Sequence, residues 1–140
     1  MPHLLQLSDG TLGITRCGDE NNCGLFKTLI ALNAVHLRDV LESEVPIDRT
    51  FRNAWRDNGR ITTDMVIARN LHLDRIRSRR NSKLVESDMQ LLRAIETDDT
   101  VEKSRLISLR QTLRDLPQQL DLTTASTPDA LKQIWPSELA

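Results

Sequence analysis

The residues able to do chemistry are few and far apart in this sequence of 140 residues. Its three histidines are His3, His36 and His72, and none stands at ligand spacing from another or from a cysteine. A structural zinc site needs four ligands, so the pattern predicts no metal site. The sequence also lacks the Gly-x-Ser-x-Gly, phosphate-loop and dinucleotide-binding motifs. These observations predict a protein that is not an enzyme, with no catalytic residue and no cofactor.

Two cysteines, Cys17 and Cys23, bracket a polar stretch. They are open to three interpretations: a disulfide that closes a small loop, half of a metal site, or two reduced thiols. We favour two reduced thiols in a solvated loop, and the disulfide stays open.

The most strongly charged window is RNLHLDRIRSRRNSK, residues 69–83, with six basic residues against one acidic residue. A basic face of this kind can neutralise nucleic-acid phosphates. However, no aromatic side chain interleaves the basic ones for base stacking, and the net charge of the chain is −1. We therefore favour a helix face that pairs with acidic residues or contacts a protein. Nucleic-acid binding is the alternative function, and its candidate residues are Arg75, Arg77, Arg79 and Arg80.

The elements that would carry these residues are mostly α-helical. Apolar alternation around Asp9-Gly10 predicts a β-hairpin over residues 4–15. Residues 25–41 fit a helical stripe better than a strand, although AVHLRDVLESEV has some strand character. Asp48 is expected to cap a short helix that passes through Phe51 and Trp55 and ends near residues 58–59.

The second half of the chain predicts a helical hairpin. A helix begins at Thr62 or Thr63, and residues 81–82 either interrupt it or mark a turn. Asp99 and Glu102 have capping-box spacing, which predicts a helix over residues 100–115 that Pro117 stops. Segments 82–97 and 100–115 would then lie antiparallel. A last short helix starts at Thr127-Pro128. Apolar residues recur at helical spacing in the first arm of the hairpin: Leu84, Val85, Met89, Leu92 and Ile95.

Four stretches resemble small proteins of tailed bacteriophages that are identified as tail assembly chaperones or tail fibre assembly proteins. They are VPIDRTFRNAWRDNG (45–59), DMVIARNLHLDRIR (64–77), RQTLRDLP (110–117) and STPDALKQIWP (126–136). The resemblance covers residues 45–140, whereas residues 1–44 match no family that we can name. We therefore predict two parts: an N-terminal hairpin, loop and helix over 1–44, and a helical domain over 45–140.

The resemblance implies a non-enzymatic tail protein that acts through protein–protein contacts with tail or tail-fibre proteins. Such a protein is an assembly factor or a minor virion component, located in the virion tail or in the host cytoplasm during assembly. No apolar run approaches the roughly 20 residues of a membrane-spanning helix, so no membrane contact is expected. The protein could also associate with copies of itself, and the sequence leaves this open. The residues that the resemblance suggests for partner contact are Phe51, Arg52, Trp55, Arg110, Gln111, Arg114 and Trp135. For each of the three aromatic residues, packing in the core is the favoured alternative.

Overall fold

The computed structural model describes residues 1–17 and 24–140 of the chain. The order of elements confirms the predicted fold class, which is mostly α-helical with an N-terminal β-hairpin. The chain forms two compact units, Met1–Ala68 and Arg69–Ala140, and each buries an apolar cluster of its own. The division that the sequence predicted between residues 44 and 45 falls inside the first unit.

The N-terminal hairpin is the one that the sequence predicts. Strand β1 (Pro2–Gln6) pairs antiparallel with strand β2 (Leu12–Arg16). In the turn, Thr11 N donates to Asp9 Oδ1 at 2.9 Å, and Gly10 adopts φ +81°, a conformation that residues with a Cβ rarely take. The Asp9-Gly10 pair thus forms the predicted turn, because Asp9 supplies a hydrogen-bond acceptor and Gly10 tolerates the positive φ.

The prediction of a helix over residues 25–41 is only half right. Helix α1 covers Leu25–Leu32 and ends at Asn33, which has the left-handed φ of 47°. Strand β3 (Val35–Asp39) then pairs antiparallel with β1, so the sheet order is β2-β1-β3. The strand forms because it hydrogen-bonds to the edge of β1 that β2 leaves open. This pairing joins residues far apart in sequence, so the helical spacing of residues 25–41 cannot reveal it.

Strand β3 contains a β-bulge opposite the middle of β1. Leu4 faces Arg38 and Leu5 faces His36, so Leu37 is an extra residue in the pairing. Side chains alternate between the two faces of a regular strand, and one inserted residue reverses that alternation. His36 and Asp39 consequently lie on the same face of the sheet.

A second hairpin replaces the short helix predicted after Asp48. Strands β4 (Trp55–Asp57) and β5 (Ile61–Thr63) pair antiparallel across a turn in which Gly59 has φ +84°. Where the short helix was predicted, a 3₁₀ turn, Arg52–Ala54, comes just before these strands. The helical prediction is wrong because the turn chemistry of Asn58-Gly59 favours a hairpin, and pairing between strands outweighs local helix propensity.

The core of the first unit is built from both hairpins and from the segment between them. The buried apolar residues that form it are Leu4, Leu12, Val40, Val45 and Trp55.

The second unit is built on two long helices. Helix α2 runs without interruption from Met65 to Glu96, so residues 81–82 do not break it. Helix α3 (Thr100–Gln119) starts as predicted, with Glu102 N donating to the side chain of its cap, Asp99, at 2.9 Å. The prediction that Pro117 stops α3 is wrong, since the helix continues through its last turn to Gln119.

The core of the second unit closes around helix α3 and the C-terminal end of the chain. Helix α4 (Pro128–Gln133) starts at Thr127 as predicted, with Ala130 N donating to Thr127 Oγ1. The apolar cluster consists of Ile76, Leu113, Leu116 and Leu139, with Leu84, Leu109 and Leu120 packed against it.

Three side chains of α2 hold the segment after α3. Arg69 donates to the carbonyl oxygens of Leu122 and Ala125, His72 Nε2 donates to Ile134 O at 2.8 Å, and Arg79 Nε donates to Leu139 O at 3.3 Å. In the described part of the chain, no helix is both long enough and apolar enough to cross a membrane.

Candidate protein-interaction surface

Helix α2 carries a stripe of apolar side chains exposed to solvent. The exposed fractions are 67% for Val85, 60% for Met89, 53% for Leu92 and 52% for Ile95. Their spacing of four, three and three residues places them along one side of a helix. We call these four residues the α2 stripe. An aligned set of exposed apolar residues is typical of a surface that binds another protein.

The opposite side of α2 explains why the stripe faces solvent. Ser87 and Ala94 are buried there, with exposed fractions of 3% and 4%. Helix α3 approaches at Ser87, where Arg110 Nη1 donates to Ser87 Oγ at 2.6 Å. The small residues therefore face the core, and the large apolar ones are left outside. The helical spacing of the stripe was visible in the sequence, but nothing in that spacing showed which side of the helix is buried.

Acidic residues surround the α2 stripe. Residues 84–99 contain one basic residue, Arg93, and the acidic residues Glu86, Asp88, Glu96, Asp98 and Asp99. Asp88 is paired with Arg110, whereas Glu86 lies 3.9 Å from Arg79. A surface that is apolar along its centre and acidic around it favours partners with basic flanks.

The predicted contact residues of the first unit lie in two environments. Phe51 and Trp55 are each 2% exposed, and Trp55 belongs to the core of that unit. They sit on either side of the turn Arg52–Ala54 and do not share a helical face. Arg52 is exposed. The burial of the two aromatic side chains is what the core alternative expects.

The predicted contact residues of α3 also differ from one another. Arg110 is engaged inside the protein, because its Nη1 donates to Leu84 O at 3.0 Å as well as to Ser87 and Asp88. Gln111 donates to the carboxylate of Asp115 on the next turn, and Arg114 is exposed.

Trp135 is 41% exposed, and its ring meets the His72 ring edge-on at 5.9 Å. His72 precedes the α2 stripe by about 20 Å along the helix. The structure thus places Trp135 apart from the stripe, while Arg110 supports the turn of α2 where the stripe begins.

The basic segment 69–83 is partly used to hold the second unit together. Arg69 and Arg79 bind carbonyl oxygens of the C-terminal segment, Arg77 pairs with Asp74 at 3.2 Å, and Arg80 donates to Asn81. These contacts are expected if the basic side chains of the segment bind other groups of the same protein. Nucleic-acid binding through Arg75, Arg77, Arg79 and Arg80 stays a prediction.

Two features of the first unit depart from the sequence analysis. Cys17 is disulfide-bonded, so the expectation of reduced thiols is wrong for it; Cys23 lies outside the described residues. The histidines are also less scattered than the sequence suggests, since His3 and His36 both contact Asp39.

Comparison with protein families finds a match in the second half of the chain. Residues 73–138 match the model of a family described as phage tail assembly chaperone protein. The match confirms the resemblance seen in the sequence over this segment, which contains the α2 stripe, Arg110, Gln111, Arg114 and Trp135. It supports a role in phage tail assembly. Neither the curated proteins nor the solved structures include a match.

Proposed function

We propose that this protein is an assembly factor for a bacteriophage tail, which binds a tail or tail-fibre protein during assembly and catalyses no reaction. The observation that carries this proposal is the family match over residues 73–138. The matched segment contains most of α2 and all of α3, so this helical hairpin is the part of the chain expected to carry the role.

The contact surface of this proposal is the α2 stripe. Its occupant is a segment of a tail protein that presents apolar side chains flanked by Lys or Arg. The apolar side chains would bury Val85, Met89, Leu92 and Ile95, and the basic residues would approach acids such as Glu86 and Glu96. Complementary charge of this kind accelerates association and selects the partner.

The size of the stripe favours a reversible complex. Complete burial of one large apolar side chain contributes about 1.5–3 kcal/mol, and these four are already partly covered by the protein. Association itself costs about 4–15 kcal/mol in lost freedom. A contact centred on four such side chains therefore suits a factor that binds and later releases its partner.

A binding experiment with two variants tests the surface. Candidate tail and tail-fibre proteins from the same phage would be co-expressed with the chain, and the affinity of the co-purifying partner would be measured by calorimetry. Met89→Lys with Leu92→Lys should weaken binding by about tenfold or more, because central apolar contacts dominate such interfaces. Ile107→Lys is the matched control, since Ile107 is 51% exposed on α3 and lies outside the stripe.

Three outcomes would contradict this assignment. They are failure to bind any tail protein, equal weakening by the Ile107 control, and a wild-type dimer that the double variant dissociates. The last would make the stripe a contact between copies of the chain. Proteomic analysis of purified virions separates the assembly factor from a virion component: absence from the particle supports the former, and stoichiometric presence supports the latter.

A further inference from the structure

Three side chains that can bind metal ions converge on one face of the β2-β1-β3 sheet. His3 lies in β1, whereas His36 and Asp39 lie in β3. One ligand atom from each can be chosen so that all three lie within 4.8 Å of one another. We propose that this cluster is a binding site for a divalent transition-metal ion, with Zn²⁺ the best fit. The site lies outside residues 73–138 and does not depend on the proposed function.

Backbone pairing builds the cluster. His3 is directly opposite Asp39 in the register of β1 and β3. His36 would point to the other face in a regular strand, and the extra residue Leu37 turns it back toward Asp39. The bulge therefore adds the third ligand to a cross-strand pair.

The distances are close to those of a metal site. His3 Nδ1 lies 2.6 Å from Asp39 Oδ1, and His36 Nε2 lies 3.0 Å from the same oxygen. Ligands about 2.0–2.2 Å from a tetrahedral Zn²⁺ are separated by roughly 3.4 Å. The two contacts to Asp39 thus need to open by less than about 1 Å, and the Asp39 side chain, 49% exposed, has room to move.

The donor set selects the class of ion. Imidazole nitrogens bind Zn²⁺, Co²⁺, Ni²⁺ and Cu²⁺ well, whereas Mg²⁺ and Ca²⁺ prefer oxygen ligands. One carboxylate beside two imidazoles gives two nitrogens and one oxygen, a set known from zinc sites. Three protein ligands leave a fourth position for water or for a group from another molecule.

In the metal-free protein a hydrogen-bond network joins the same atoms. The hydrogen bond from His3, and then that from His36, lowers the pKa of Asp39. A metal ion needs a nitrogen without a proton on each imidazole, and protons compete for that nitrogen, so binding should weaken as the solution becomes acidic.

Calorimetric titration of the untagged full-length chain with ZnCl₂ near neutral pH tests the site. The buffer contains no thiol reductant, because released cysteine thiolates would themselves bind Zn²⁺. We expect saturable binding of one Zn²⁺ per chain, and visible absorption bands of four-coordinate Co²⁺ when CoCl₂ is used.

Single variants locate the ion. His36→Gln and Asp39→Asn should each weaken binding by at least about tenfold, because even changes to residues that only support metal ligands cost that much. Asp9→Asn is the matched control: it alters a carboxylate in the turn between β1 and β2, and Asn keeps the acceptor for Thr11. Circular dichroism confirms that each variant is folded. The proposal is overturned if Zn²⁺ does not saturate a site, if the two ligand variants bind as the wild type does, or if the control loses binding as well.

Discussion

The sequence suggests Arg110 as a partner-contact residue, and in the structure its side chain forms hydrogen bonds within the protein. Its side chain is 16% exposed, and one nitrogen donates to Leu84, Ser87 and Asp88 on α2. Buried Ser87 uses its hydroxyl to reach Leu84 O and accepts from Arg110 at the same time. Arg110 therefore fixes α3 against the part of α2 that carries the stripe.

Replacing Arg110 with Ala should lower the free energy of unfolding by about 1.5–3 kcal/mol, as expected for lost hydrogen bonds to a charged group. Chemical denaturation followed by circular dichroism measures this change. Arg105→Ala is the matched control, because Arg105 is exposed and pairs with Glu102, three residues away on the same helix. An Arg110 variant as stable as the control would show that these contacts do not hold the hairpin together.

At the scale of elements, capping residues determine where helices start, whereas pairing with a distant strand determines where strands form. Asp99 and Thr127 both cap helices as the sequence predicts. By contrast, β3 and β4 replace residues that the sequence predicted to be helical. A cap acts within three residues, whereas a strand depends on a partner distant in sequence.

The cap of α3 gives a prediction at this scale. Asp99→Ala should destabilise the protein by about 0.5–2 kcal/mol, because Glu102 N loses its acceptor where α3 begins. Asp99→Asn keeps an acceptor at the same position and should cost much less. Thermal unfolding of the two variants beside the wild type makes the comparison. Equal losses for Ala and Asn would contradict the capping role.

For the whole molecule, acid should be destabilising. Hydrogen bonds lower the pKa of exposed carboxyl groups in both units: Arg16 lowers that of Glu42, Arg105 that of Glu102, and Thr123 that of Asp121. The folded protein then binds fewer protons than the unfolded chain in mild acid. The stabilisation is present above a pH of about 4.3, the ordinary value for Glu, and is lost as the pH falls further.

The pair of Arg16 and Glu42 provides the test. Glu42→Gln should be less stable than the wild type at neutral pH, and the difference should shrink as the pH falls toward about 3. Urea denaturation at several pH values measures both proteins. A difference that is independent of pH would mean that the ionised form of Glu42 is not what stabilises the fold.

The sequence by itself determined the mostly helical fold class, the first hairpin, the start of α3 and the start of α4. It also determined the resemblance to phage tail assembly proteins that the family match confirms over residues 73–138. These features depend on residues within a few positions of each other, or on motifs read directly from the chain. Turn and cap chemistry at Asp9-Gly10, Asp99 and Thr127 is local in this sense.

Only the tertiary structure decided which side of each element faces outward. The apolar spacing of Val85, Met89, Leu92 and Ile95 is the same whether the stripe is buried or exposed, and the packing of Ser87 and Ala94 leaves it exposed. The meeting of His3, His36 and Asp39 likewise required the pairing of β1 with β3 and the extra residue Leu37. Both outcomes depend on contacts between residues far apart in sequence, whose energies no short window of the chain contains.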